Sequence, residues 1–318
     1  MKDTTNDRES PFRMAALDLD GTLLQSDHQL ADKQAEYLRA LFKSGFRICI
    51  ATGRAAPSVY EIVKKIALPE PTPVVCSNGA RGFLLSYNDT DAVDSHHKIQ
   101  KELFYTPLSR EAVIKTIQLA KKLGYFVQYY IGDGIYANPT TESHRQMMKE
   151  YESLTGSCLE TVDDDFDRFL GAQDDSKLPS KLLVRCEKEE FPKCHPSFVK
   201  VLKSSSNDEM ERLAHIVAAY NKDLDWFLEI LHPEVNKGHG LRKMCDKLDI
   251  SMNDVIAMGD GTNDIEFLQM SGLGIAMNNA HESLQKVASY TMEWTNDEHG
   301  VMKTLEALKM KGELYCKN

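Results

Sequence analysis

Tryptophan is scarce in this chain of 318 residues, which carries two, and no apolar run approaches the length of a membrane span. A bilayer-crossing helix needs ~20 consecutive apolar residues, so no membrane association is expected. Residues 1–11 are polar and lack the apolar segment of a secretory signal. They are expected to form a flexible tail, with no export. Paired cysteines are missing as well, because the seven at 49, 76, 158, 186, 194, 245 and 316 are odd in number and widely scattered. Cys186, Cys194 and His195 come nearest to a metal cluster but lack the short paired spacing of a zinc site. Free thiols in the reducing cytoplasm follow, and there the sequon Asn88-Asp89-Thr90 means nothing. Basic charge is in deficit, with 38 Lys plus Arg against 48 Asp plus Glu. Since non-specific nucleic-acid affinity comes mostly from basic side chains displacing counterions, no nucleic-acid partner is expected.

What the chain does contain is ordinary for a folded protein of about two domains. Short apolar runs at 12–19, 46–51 and 74–76 read as buried strands, and helical patterns at 34–42 and 59–66 separate them. Buried strands alternating with amphipathic helices predict an α/β fold with a parallel sheet flanked by helices. The texture becomes mixed α+β after about Leu85, with a helix over 110–123, strands over 125–130 and 181–186, a helix over 208–220 and a strand over 226–230. From about Asn236 the α/β pattern returns, through a helix at 240–248, a strand at 255–258, a helix at 265–270, a strand at 273–277 and helical stretches at 284–287 and 301–308. The core is therefore expected in two pieces, 12–85 and 231–308, around an insert at 86–230, and a charged tail over 309–318 is expected to fray.

Ligands of a parallel sheet bind beyond the carboxyl ends of its strands. The polar residues at those ends are Asp18, Asp20, Thr52, Ser77 and Asn78. Asp18 and Asp20, two apart at a strand end and followed by Gly21, can reach one pocket. Neighbouring carboxylates repel unless a cation or a shared proton offsets them, and Mg²⁺, a hard ion that prefers oxygen, suits them. The acidic loop 260–264 follows another buried strand and is placed to complete such a site. Simpler roles stand beside these. Asp18 and Asp20 would stabilise a turn, Thr52 would cap a helix, Asn78 would make an Asx turn, and Lys237 would lie in solvent. The acidic loop lacks EF-hand spacing.

Taken in order, the motifs resemble the haloacid dehalogenase (HAD) superfamily, in its Cof-like type IIB cap subgroup of phosphatases. They are Asp18-Leu19-Asp20-Gly21-Thr22-Leu23, Ala51-Thr52-Gly53-Arg54, Ser77-Asn78-Gly79-Ala80, Asn236-Lys237-Gly238, Gly259-Asp260-Gly261-Thr262-Asn263-Asp264 and Glu298-His299-Gly300-Val301. The resemblance implies a Rossmann-like core with an inserted α+β type IIB cap that closes over it. It implies that Asp18 is the nucleophile, forming an aspartyl-phosphate, and that Asp20 is the general acid and base. Thr52, Gly53, Asn78 and Asn263 would contact the phosphoryl group, and Lys237 would set a positive charge against it. Mg²⁺ would be held by Asp18, the backbone carbonyl of Asp20 and Asp260, with Asp264 positioning a metal-bound water or Lys237. Arg54 is expected to meet the cap or an acidic partner. Where relatives carry Gly-Asn-Ala, this chain has Asn278-Asn279-Ala280, which leaves that loop's conformation open.

The activity implied is Mg²⁺-dependent hydrolysis of small phosphate monoesters such as sugar phosphates, with pyridoxal phosphate and flavin mononucleotide as further substrates. The alternatives are a sugar-phosphate mutase and a non-catalytic phosphate-binding protein. The partner is a small phosphorylated metabolite, and the chain would be a monomer or homodimer. Within the cap, Tyr125, Phe126, Tyr129 and Tyr130 read as packing a sheet and Gly132-Asp133-Gly134 as a hairpin turn. Arg185 is expected at the surface, His232 and Glu234 near a hinge. His96, His97 and the run Asp163-Asp164-Asp165 are expected to be solvated.

Overall fold

The computed structural model describes residues 11–86, 98–163, 166, 170–171, 178–203, 212–221 and 224–316. The sequon, His96, His97, Asp164, Asp165 and nearly all of the tail at 1–11 lie outside these residues. In chain order the strands are β1 (Met14–Leu17), β2 (Arg47–Ala51), β3 (Thr72–Cys76), β4 (Arg81–Ser86), β5 (Lys98–Tyr105), β6 (Phe126–Ile131), β7 (Gly134–Ala137), β8 (Glu160–Thr161), β9 (Lys181–Arg185), β10 (His215–Asn221), β11 (Asp225–Leu231), β12 (Val255–Gly259), β13 (Leu273–Ala276) and β14 (Tyr290–Thr291).

They sort into two compact units. One takes the chain up to Arg54, Val59–Phe104 and Asn236 onward, and the other takes Ala55–Ser58 and Tyr105–Val235. These divisions fall later than the sequence boundaries at 85/86 and 230/231. The reason is β4, which turns back antiparallel on β3, with β5 beyond it at the sheet edge. β5 is thus an edge strand of the first unit, partly exposed and therefore carrying charged residues such as Lys101 and Glu102.

The first unit's sheet runs β14-β13-β12-β1-β2-β3-β4-β5. Apolar sequences such as MAAL and VIAMG form its centre because both faces are covered, and every residue of β1, β3 and β12 is buried. β1 pairs in parallel with β2 on one side and β12 on the other. The chain order reverses there, which makes the ends of β1 and β12 the switch point where such sheets hold ligands. The expected fraying after residue 309 does not occur over 309–316, because Leu314 bridges to Phe12. The Phe12 amide donates to the Glu313 carbonyl at 2.8 Å and the Tyr315 amide to that of Phe12 at 2.7 Å.

The second unit's sheet runs β10-β11-β9-β6-β7-β8. Alternation along β6 feeds a separate apolar cluster on each face. Val127 and Tyr129 join Leu182, Val184 and Phe198 on one face, and Phe126 and Tyr130 join Leu183, Met147 and Tyr151 on the other. The four aromatic residues singled out in this stretch are therefore core. Gly132 and Asp133 link β6 to β7 as a hairpin.

Two expectations fail in this unit. The helix at 208–220 is absent from its described part, where His215–Asn221 is a strand antiparallel to β11. The run Ile216–Tyr220 has no polar face to expose, so pairing outweighs its weak helical period. Arg185 is not at the surface, being 5% exposed and donating to the Met147 carbonyl at 2.7 Å and the Glu150 carboxylate at 2.9 Å. Cys186 and Cys194 are buried thiols of this unit.

Candidate active site

The site is built where β1 ends. Leu17 lies opposite Met258 on β12, and the Asp18 amide extends that ladder by donating to the Met258 carbonyl at 3.1 Å. Two parallel strands in register deliver Asp18 and Asp260 side by side, although they are distant in sequence. Gly21 turns the chain out with φ +67°, and a Cβ there would stand 2.1 Å from Asp260 Oδ2. Only glycine fits the turn without displacing a candidate metal ligand. Thr22 donates its hydroxyl to Asp260 Oδ1 at 3.3 Å.

Lys237 arrives from another direction, at the start of the helix Lys237–Leu248. This helix begins three residues before the expected 240–248, because Asn236 caps it by accepting the His239 amide at 2.7 Å. A cation in a helix's first turn opposes the helix dipole, so the position is held by carboxylates. Lys237 Nζ donates to Asp18 Oδ1 at 2.8 Å and Asp264 Oδ1 at 2.5 Å. Burial works against its charge, but Asp18 and Asp264 outweigh that and hold its pKa above the ordinary lysine value. Burial drives Asp18 well up, Lys237 opposing and the charges of Asp264 and Asp260 adding to the rise. Burial and then Asp264 push Asp260 up to about 7.

Asp264 spends both oxygens within the protein, since its Oδ2 accepts the amides of Asp260 and Gly261 at 3.0 Å each. Oxygens of Asp18, Asp260 and Asp264 lie within 4.8 Å of one another, the one such acidic group among the described residues. One lysine thus faces three carboxylates. The excess negative charge and the all-oxygen donors fit a hard divalent cation. Because Asp264 is committed to Lys237 and the loop amides, Asp18 and Asp260 are the side chains of this group left to hold one.

Thr52 and Asn78 come from the ends of β2 and β3. The Thr52 hydroxyl accepts the Arg54 amide at 3.1 Å, which leaves its own proton to donate. Its carbonyl accepts the Asn78 amide at 3.1 Å. Asn78, with φ 52°, accepts at Oδ1 from Asn263 Nδ2 at 2.9 Å, so these two predicted residues meet. A Cβ on Gly53 would lie 3.0 Å from the same oxygen. Gly79, with φ +99°, has its Cβ position 2.2 Å from the Asn236 carbonyl oxygen. Gly79→Ala is expected to lower stability by ~2–4 kcal/mol through this backbone clash and the left-handed φ together. Urea unfolding checks it, and a loss under ~1 kcal/mol would mean the helix start can move aside.

Asp20 stands apart from this group. Its carboxylate is gripped by Arg54, Nε to Oδ2 at 2.8 Å and Nη2 to Oδ1 at 2.5 Å, and His28 Nδ1 lies 3.1 Å from Oδ1. Burial favours the neutral acid, yet Arg54 and His28 prevail and hold its pKa well below the usual carboxylate range. Arg54 therefore takes the acidic-partner role among its expected alternatives, while His28 carried no signal in the sequence. Asn279 bonds the Gly21 carbonyl at 2.8 Å. Neither Asn278 nor Asn279 has positive φ, so the glycine missing from that motif costs the loop no left-handed strain.

Among the described residues no helix is long and apolar enough to cross a membrane. The family model for haloacid dehalogenase-like hydrolases matches residues 15–305. Phosphatase YwpJ of Bacillus subtilis is 26% identical, the match covering 93% of this chain and all of the relative. From the same organism, 5-amino-6-(5-phospho-D-ribitylamino)uracil phosphatase YitU is 25% identical over 92% of this chain and 96% of its own. In fold, the chain resembles the subclass IIB sugar phosphatase BT4131 with a TM-score of 0.69 at 20% identity, over 95% of this chain and all of that one. The chain belongs to the haloacid dehalogenase-like hydrolases, as a phosphatase.

Proposed function

We propose that this phosphatase hydrolyses phosphate monoesters of small organic molecules, sugar phosphates foremost, with Mg²⁺ as its metal. The observation that carries the reading is a buried lysine pinned between Asp18 and Asp264, with Asp260 beside them. An oxygen of Asp18 attacks phosphorus and the P–O bond to the alcohol breaks. Asp20, which Arg54 and His28 hold ionised and which therefore first takes up a proton from solvent, passes that proton to the departing oxygen. Asp20 then takes a proton from water as that water attacks the aspartyl-phosphate, releasing phosphate and restoring Asp18. Lys237 offsets the repulsion between Asp18 and the incoming anion. Thr52, Gly53, Asn78 and Asn263 orient the phosphoryl oxygens. Asp18, Asp260 and the Asp20 carbonyl would hold Mg²⁺, which supplies positive charge against the phosphoryl oxygens.

Sugar phosphates are favoured because the fold is shared with a sugar phosphatase and a relative acts on a ribitylamino phosphate. Pyridoxal phosphate and flavin mononucleotide are further substrates of this kind. The enzyme works on these metabolites in the cytoplasm, as a monomer or homodimer, without nucleic acid. A panel of phosphorylated metabolites, assayed for phosphate release with Mg²⁺ and with chelator, tests the reading. Release from several sugar phosphates is expected with Mg²⁺, without a bisphosphate activator, and is expected to disappear with chelator. Turnover only with an activator would favour a mutase, and no release from any ester would favour a binding protein.

A further inference from the structure

Sequence places Asp18 and Asp20 two residues apart, but each answers to a different cation. Lys237 holds Asp18 and Arg54 holds Asp20. A guanidinium fork bound to both oxygens of a carboxylate fixes its direction as well as its charge, which a lysine cannot do. The fork is itself anchored at its backbone. The Arg54 amide donates to the Thr52 hydroxyl at 3.1 Å, and the Arg54 carbonyl accepts the Ser77 amide at 2.9 Å. One residue therefore ties Asp20 to the ends of β2 and β3. From the other side His28, held at φ 61°, brings Nδ1 to 3.1 Å from Asp20 Oδ1.

We propose that Arg54 is a positioning residue that aims the Asp20 carboxylate at the leaving oxygen, and that it acts on catalysis through Asp20 instead of by binding the phosphoryl group. The proposal rests on the acid–base role given to Asp20 under the proposed function. Its geometry does not depend on that role, since two of the guanidinium nitrogens are directed at Asp20. A group that acts only through another loses its effect once the other is removed, and this makes the idea testable.

The test is a double-mutant cycle in the full chain with Arg54→Ala, Arg54→Lys, Asp20→Asn and Asp20→Asn/Arg54→Ala. Glucose 6-phosphate and 4-nitrophenyl phosphate serve as esters with a poor and a good leaving group. Arg54→Ala is expected to lower kcat for glucose 6-phosphate by ~10–100-fold with KM within about threefold, sparing 4-nitrophenyl phosphate by comparison. Arg54→Lys should fall between Arg54→Ala and the wild type. In the Asp20→Asn background, followed with the same glucose 6-phosphate, Arg54→Ala should change kcat by less than about twofold. An equal loss in both backgrounds, or a raised KM for both esters, overturns the proposal and makes Arg54 a substrate contact. If Arg54→Ala fails to fold by thermal melt, Arg54→Gln carries the same cycle. A wild type that releases phosphate, with a slow Asp20→Asn and an unaffected Arg54→Ala, sinks this inference alone. A wild type that releases none removes the proposed function and this inference with it.

Discussion

Replacing Asp18 with asparagine is expected to lower phosphate release at least ~10³-fold while the protein stays folded. The substitution removes the oxygen proposed as nucleophile but keeps the shape of the side chain. It also takes one negative charge out of a buried group in which Asp260 and Asp264 already oppose Asp18. Lys237 keeps Asp264 at 2.5 Å as a partner, so no buried charge is left without its opposite. Stability should stay within ~1 kcal/mol of the wild type, well below the usual cost of breaking a buried pair. Phosphate release at saturating ester and urea unfolding measure the two halves. Turnover within tenfold of the wild type would show that another group attacks phosphorus.

Lys237→Met should behave in the opposite way, losing stability as well as activity. The lysine is 1% exposed and is the cation that Asp18 and Asp264 both contact. Methionine fills much of its volume but leaves those carboxylates and Asp260 facing one another. Removing one partner of a buried ionic group costs ~3–5 kcal/mol, and that loss is expected in urea unfolding without added metal. Mg²⁺ should return part of it by taking over the missing positive charge. A loss below ~1 kcal/mol would mean that the carboxylates are not balanced by the lysine.

The contrast between these variants also shows how far the sequence could be read. Asp18, Asp20, Asp260 and Asp264 were legible because each follows a short apolar run that behaves like a buried strand. Their convergence depends on β12 pairing with β1 and not with another strand, a fact about tertiary order that the motif order supplied. The partner of Asp20 was not legible. Arg54 lies 34 residues away, and nothing in Thr-Gly-Arg states which way its side chain turns. The start of the lysine helix was hidden because it is set by the Asn236 side chain accepting the His239 amide, a cap that leaves no mark on the apolar pattern. Gly240 is there for packing, since a Cβ on it would stand 2.4 Å from the Cα of Gly79. In the second unit, β10 was mistaken for a helix because a short run apolar on all sides fits either period. The helices Glu142–Thr155 and Phe191–Val201 went unread, the first being largely polar and the second carrying Pro192 and Pro196.

The strand order has a consequence for how the chain is made. β1 is synthesised early, yet the neighbour it needs on one side, β12, and the lysine that balances its aspartate come from the far end of the chain. Asp18 and Lys237 are separated by 219 positions, and ribosomes add ~5–20 residues per second. The nascent Asp18 therefore waits roughly 10–40 seconds for its counter-charge at that pace, and throughout that interval one edge of β1 lies open to other chains. A ribosome stalled before Lys237 would hold a polypeptide that is inert towards phosphate esters and prone to bind chaperones.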